Sequence, residues 1–577
     1  MQLAEITFPA FGLSEQAILV LIGVLAIGFV PALILAWVFE STPEGVKRER
    51  DIDRSGELAR RTNHLLDRAI IVLLTLGVTY LAVDKFLLDP VRDDARVEAA
   101  REKGRSEAFG RTFGDKSIAV LPFMNLSGDP DQEYFSDGMS EQLLDLLSRI
   151  PELRVISRTS AFAFKGKQIG MQDIAEQLDV SYVLEGSVRW AGEQVRVTAQ
   201  LIDADADAHL WSQTFDRPID DIFSIQDEIA AIVVQELKVT LLQQAPTVEH
   251  TDPEAFALYL RARQLGRTGT AEAYEESNAL FEQALAIDPD YAAAWNGLAV
   301  NAFKLFSRGL RYYEEGYDIA RQAAEKALLS EPGYAPALAT LGLVALEDTH
   351  DLAAAARYFQ RALTLAPYDL EIIRHVVVFL QSLRRLEAAI ALGEYAISRD
   401  PVNAANHANL GNSYRWSGRP EDAVAAYRTA LRLSPGLGAA HSFIGLALIT
   451  QGQHEEALAA IEREPFEPYR LIGLALVHHA MGDAAHSDAA LTELIEKYEK
   501  EWAYNIAYVH AARGQPDLAF EWLDRAVEYH DPGLSLIIVE PNFANLESDP
   551  RWREFLRKLG KSSEQLDAIR FDADLPD

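Results

Sequence analysis

Carboxylates are the groups this sequence crowds together most. Asp129, Asp131, Glu133 and Asp137 fall in one loop, GDPDQEYFSDG. Such a density of oxygen donors would suit calcium, but Pro130 fills the second position of the expected loop and its sixth is not Gly. The pattern therefore reads as a helix start, with Ser136 or Asp137 as the cap and acids at the positive end of the helix. The run DADADAH, Asp203 to His209, alternates Asp and Ala ahead of a strand, which is turn chemistry. Gly186-Ser187 lacks the flanking glycines of a nucleophile elbow, and GxxxxGK[ST], HExxH and GxGxxG do not occur. The thirteen histidines are scattered; His478 and His479 are neighbours on a helix and so diverge. With no cysteine, thiolate nucleophiles, thiolate metal sites and disulfides are excluded, while the redox compartment stays open and a periplasmic setting is compatible. No catalytic, metal-binding or cofactor-binding residue is expected, and the protein is expected not to be an enzyme.

The elements around these groups are mostly helical. Pro289, Pro332, Pro367, Pro401 and Pro435 recur at spacings of 43, 35, 34 and 34, each preceded by small and aromatic residues in nearly constant register. The clearest unit, LGNSYRWSGRPEDAVAAYRTALRLSP, places Leu410, Gly411, Tyr414, Ala423, Tyr427, Ala430 and Pro435 as in a tetratricopeptide repeat, which it resembles. Small residues let two helices approach, tyrosines fill the space beside them, and the proline stops the second helix. Worn copies continue through Gly473, Ala485, Ala507 and Ala519. The wide spacing holds an insertion, Leu305 to Asp318, whose Tyr312, Tyr313 and Tyr317 are expected to pack. Repeats of this kind stack into a superhelix with a groove lined by the first helix of each unit. The groove positions here are Asn296, Lys304, Arg374, Asn412, Arg415, Tyr504 and Tyr508, suited to hydrogen-bond a peptide backbone or carboxylate and to supply aromatic area.

Composition sets the remaining bounds. The 577 residues are 49% hydrophobic and 24% charged, which is globular and enough for several domains. Lys plus Arg number 54 against 87 Asp plus Glu, a net −33 that repels phosphate backbones and argues against a nucleic-acid partner. Residues 17–39 form an uncharged run long enough to cross a bilayer, and 69–88 form a second, with Asp84 and Lys85 near its end. The basic segment between them predicts a cytoplasmic loop and a periplasmic main body at a bacterial inner membrane.

Residues 116–243 alternate short apolar strands with amphipathic helices, as an α/β domain with a mixed sheet does. SIAVLPFMNLSGDPDQEYFSDGMSEQLLDLLSRI, SRTSAFAFKGK and VLEGSVRWAGEQVRVTAQLIDADADAHLWSQTFDR resemble the TolB amino-terminal-like domain, related to the FlgO and CsgG type. The resemblance implies a domain commonly followed by tetratricopeptide repeats, with relatives among CadC-like regulators and class III adenylate cyclases. The membrane region resembles a subgroup that has one more span, implying three spans and a start upstream of Met1.

The expected organisation is thus a short segment 1–16, spans 17–39 and 69–88 around a loop 40–68, a charged helical linker 89–115, the TolB-like α/β domain 116–243, an all-α tetratricopeptide superhelix 250–560 and an acidic tail 561–577. The expected role is a membrane-anchored scaffold that holds a protein or peptide in the groove and touches the bilayer through two helices. The alternative is a sensor or regulatory subunit relaying a signal across the inner membrane to a cytoplasmic regulator or cyclase.

Overall fold

The computed structural model describes residues 39–42, 45–48, 116–150, 152–237, 251–307, 310 and 316–573. The chain divides into two units, Met1–Ala99 and Ala100–Asp577. In the first, strands β1 (Phe39–Thr42) and β2 (Gly45–Arg48) pair antiparallel. This corrects the membrane expectation. Phe39, placed at the end of a span, begins a strand, and among the described residues no helix is long and apolar enough to cross a membrane. The longest described helix, Ala271–Ile287, has 17 residues and carries Glu272, Glu275, Glu276 and Glu282, which a bilayer core would penalise. The rest of 17–39, all of 69–88, segment 1–16, linker 89–115 and most of loop 40–68 lie outside the described residues. The fold is corrected to a mostly helical repeat array with a small mixed-sheet layer, and the inner-membrane localisation loses its support.

The second unit starts with a six-stranded sheet. Strands β3 (Ser117–Val120), β4 (Met124–Asn125), β5 (Arg154–Val155), β6 (Tyr182–Ala191), β7 (Gln194–Asp203) and β8 (Ala208–Pro218) lie in the order β5-β3-β6-β7-β8, with β4 also on β6. Pairings of β3 with β5 and of β3 and β4 with β6 are parallel, while the β6-β7-β8 meander is antiparallel. Gly192, at φ +63°, makes the turn between β6 and β7, a conformation that costs glycine little. Along β7, Val195, Val197, Ala199 and Leu201 are buried in alternation with Arg196, Thr198 and Gln200, so one face is core. Helices α1 (Glu133–Ser148) and α4 (Ile222–Glu236) join that core through Phe135, Leu143, Ile225 and Ile229. The short α2 (Arg158–Phe162) precedes α3 (Met171–Leu178), which packs Ile174 and Leu178 in a separate cluster with Ala119 and Val183.

The expected cap of α1 is also corrected. Asp129 caps a 3-10 turn, Pro130–Gln132, that leads into α1, whereas Ser136 and Asp137 lie inside the helix, buried. A proline just after Asp129 favours the first turn of a helix, so the start falls earlier than expected. In DADADAH, Asp203 accepts the backbone N–H groups of Asp205 and Ala206, as a turn-forming Asp does.

Eight helix pairs follow among the described residues: α5 (Pro253–Gly266) with α6 (Ala271–Ile287), α7 (Ala292–Ser307) with α8 (Gly316–Ser330), α9 (Ala335–Glu347) with α10 (Leu352–Leu365), α11 (Leu370–Ser382) with α12 (Leu386–Arg399), α13 (Ala404–Trp416) with α14 (Pro420–Leu433), α15 (Ala440–Thr450) with α16 (His454–Ile461), α17 (Glu467–Ala480) with α18 (Ala484–Tyr498) and α19 (Ala503–Ala512) with α20 (Pro516–Glu528). Two 3-10 turns, Pro532–Leu536 and Pro541–Leu546, then α21 (Pro550–Lys558) and α22 (Ser563–Asp567), complete it. Helices α6, α8, α10, α12 and α14 each end two residues before one of the five periodic prolines, because the residue ahead of a proline is pushed out of helical geometry. Within pairs, a Cβ on Gly342 would meet the Phe359 ring at 2.8 Å and one on Gly411 the Tyr427 ring at 2.7 Å, so each glycine sets the closeness of its pair. Tyr317 packs against Phe303 and Phe306 and donates to Glu347, while Tyr312 and Tyr313 lie outside the described residues.

Candidate functional site

The first helices, α5, α7, α9, α11, α13, α15, α17 and α19, pack side by side in series. All seven sequence-derived groove residues stand on this row. Two of them tie helices together. Asn296 Oδ1 accepts from Thr340 Oγ1 at 3.0 Å, linking α7 to α9, and Asn412 Oδ1 accepts from the Tyr427 hydroxyl at 2.7 Å within its own pair.

Arg415, Tyr504 and Tyr508 are brought together, and their occupant is the protein itself. The guanidinium of Arg415 makes two bonds to the Glu540 carboxylate, 3.3 and 2.8 Å, and Trp416 Nε1 donates to the same group at 3.3 Å. Both side chains are dry, 6% and 5% exposed. Burial disfavours the Arg415 charge, but Glu540 outweighs it and the guanidinium pKa rises. Phe543 packs against the rings of Tyr504 and Tyr508 at 5.5 and 6.1 Å, and Asn545 donates to the Ala511 carbonyl at 3.0 Å. The turn Pro532–Leu536 also reaches α9 and α11. Beside it lies a cavity of about 430 Å³ lined by Arg384, Arg385, Glu540, Trp552 and Lys561. Lys561 is 1% exposed, donates to the Ser535 carbonyl at 2.8 Å, and is pushed down to about 7 by burial. The segment expected as an acidic tail continues this packing: Arg385 donates to the carbonyls of Ile569 and Phe571, and the Phe571 ring meets Phe379.

Lys304 and Arg374 stand in a different setting. Arg374 pairs with Glu371 at 2.6 Å and lies 3.0 Å from His375 Nε2, and Lys304 is within electrostatic range of Glu371. Arg374 above all, with Lys304 adding to it, holds the Glu371 carboxyl down at about 2. Burial and then the Arg374 charge depress His375 to about 3, so its imidazole is neutral. Asp369 caps α11 by accepting the N–H groups of Glu371 and Ile372, and burial lifts it to about 6, with Glu371 and Asp145 adding negative potential. Asp145 in turn lies 3.9 Å from Arg263 of α5, which is 3.4 Å from Glu141. Glu141, 2% exposed, also meets Arg158 and Arg267, and these three cations hold its pKa down although burial raises it. The side chains of Asp145 and Glu371 are 48% and 68% exposed, so this group of charges faces water. Sequence reading found Lys304 and Arg374 but missed Asp145, Arg263, Asp369, Glu371 and His375; a cap following Pro367 was the one local sign of Asp369.

The sheet layer is fixed to the repeats at a second place. Arg399 donates to the Leu153 carbonyl at 2.9 Å, Ser160 Oγ to Asp400 at 2.8 Å, and Asn403 to Ser157 Oγ at 3.3 Å. The layer therefore touches both α5 and the α12–α13 connection.

With that geometry in place, residues 408–468 and 472–533 match the model of a tetratricopeptide repeat family. Those two stretches, from α13 to α20, are tetratricopeptide repeats. Residues 114–232, the sheet layer, match the family described as the HilA/YgeH-like transcriptional regulator, second domain. A Rhizobium meliloti protein named "Putative adenylate cyclase 3" is 42% identical over 194 residues, 33% of this chain and 33% of that protein. Superkiller protein 3 of Schizosaccharomyces pombe is 24% identical over 248 residues, 38% of this chain and 18% of that protein. The chain thus spans a third or less of the length of these curated relatives. Among solved structures, a human IFIT1 dimer with m7Gppp-AAAA is similar at 14% identity and a TM-score of 0.36, over 54% of this chain and 80% of that one.

Proposed function

We propose that this protein is a non-enzymatic protein-binding scaffold whose docking surface is the group of solvent-facing charges on α7, α11, α5 and the sheet layer. One contrast carries the reading. On the same row of tetratricopeptide helices, the pair Arg415–Glu540 is sealed at 6% and 5% exposure, whereas Arg374 and Glu371 keep 29% and 68% of their side-chain surface in water. A surface with cations at Arg263, Lys304 and Arg374 and anions at Asp145, Asp369 and Glu371 suits a polypeptide segment bearing both signs of charge. Complementary pairs there would set register and speed of encounter. The resemblance of 116–243 to TolB-type domains fits such a role. A photo-crosslinking residue at position 371, the most exposed of the group, should capture a discrete second polypeptide, and Lys304→Glu with Arg374→Glu should abolish it. Crosslinks only within the chain, or equal capture from position 428 on α14, would refute the reading.

A regulatory role is a second reading, supported by the match to a transcriptional-regulator domain and by the relative named as an adenylate cyclase. It predicts that the captured polypeptide is a signalling protein whose output changes when Lys304 and Arg374 are reversed in charge.

A further inference from the structure

We propose that His478, Asp483 and His486 form a binding site for one borderline divalent transition-metal ion, with Zn²⁺ as the type, at the connection between α17 and α18. His478 lies in the last turn of α17, Asp483 caps α18, and His486 lies in its first turn. Gly482, at φ +78°, reverses the chain between them and brings the two helix ends together. One ligand atom from each residue falls within 4.8 Å of the others. Asp483 Oδ2 is 2.6 Å from His486 Nδ1 and 3.9 Å from His478 Nδ1, and the two imidazoles stack with centroids 5.1 Å apart.

Ligands about 2.0–2.2 Å from a tetrahedral ion stand roughly 3.3–3.5 Å from one another. The observed 2.6 and 3.9 Å bracket that spacing, so small ring rotations complete the set. Two further features favour a ligand role. Asp483 is already held, because its Oδ1 accepts the His486 backbone N–H at 3.2 Å, which leaves Oδ2 to face the imidazoles. The Nδ1 of His478 is buried and makes no hydrogen bond, a polar atom whose position a metal would account for. Two imidazoles and one carboxylate are a donor set for Zn²⁺, Co²⁺ or Ni²⁺ rather than Mg²⁺ or Ca²⁺, and three protein ligands leave a fourth position for water. Side-chain exposures of 17%, 40% and 70% give the ion a path from solvent. The competing account is a helix cap with an ordinary His–Asp hydrogen bond.

Calorimetric titration of the untagged, chelator-treated full chain with ZnCl₂, and with MgCl₂ as the hard-ion control, separates the two. Binding of one Zn²⁺ per chain is expected, weakened at least tenfold in His478→Gln and in His486→Gln, with no Mg²⁺ binding. Zn²⁺ should also raise the melting temperature of the wild type and not of the variants, since it joins two helices. Both substitutions sit at partly exposed helix ends, and circular dichroism checks that the variants fold. Absence of saturable binding, or equal affinity in the double variant, overturns the proposal; the chain's thirteen histidines make that second comparison decisive.

Discussion

The sealed pair of Arg415 and Glu540 has taken both charges out of water, so each depends on the other. Glu540→Ala should cost about 3–5 kcal/mol in urea unfolding, because it strands a buried guanidinium. Arg415→Met with Glu540→Leu should recover most of that loss. Glu347 gives a pH-dependent test. Burial lifts its carboxyl to about 8 from an ordinary 4.5, although the Tyr317 hydroxyl favours the ionised form. A carboxyl whose pKa is higher folded than unfolded binds its proton more tightly in the native state. Its contribution to stability is therefore present below about pH 4.5 and lost as pH rises through about 8. Relative to the wild type, Glu347→Gln should gain stability between pH 5 and pH 8.5, read as a rising difference in urea midpoint. Neither partner of the Arg415 pair announces the other in the sequence, since 125 residues separate them. His478 was read beside His479, whereas the ring that stacks on it belongs to His486, eight residues on and across a turn. A sequence shows neighbours along a helix and hides those that a turn brings round.

At the scale of elements the sequence was far more open. The periodic prolines place the ends of five second helices, because proline acts on local backbone geometry alone. The small-residue positions were legible for the same reason, as Gly411 must admit the ring of Tyr427. Gly411→Ala is expected to cost about 1–3 kcal/mol by forcing that ring aside. Gly436→Ala, where a Cβ meets nothing within 4 Å, should stay within about 0.5 kcal/mol in the same thermal melts. The start of α1 was misjudged because Ser136 and Asp137 are good caps in isolation, while Pro130 had already begun the turn. The first span was expected, from its apolar run, the charges of the following loop and a family resemblance, to reach Phe39, where the structure begins a strand.

Within the second unit, residues 532–546 draw on helices from distant pairs: α9 and α11 through the first turn, α13 through Glu540, α19 through Phe543 and Asn545. The residues expected to greet a foreign peptide stand on the first-helix row, but no local pattern could tell that the chain returns to three of them. Removal of residues 531–577 should speed amide exchange in α13 and α19 well before it affects α14, as measured by mass spectrometry. Tetratricopeptide arrays ordinarily fray, shedding units one at a time from an open end. A clasp that returns from beyond the eighth pair opposes that, and a nascent chain in which Glu540 has yet to be made presents Arg415, Tyr504 and Tyr508 bare to whatever chaperone or protease arrives first.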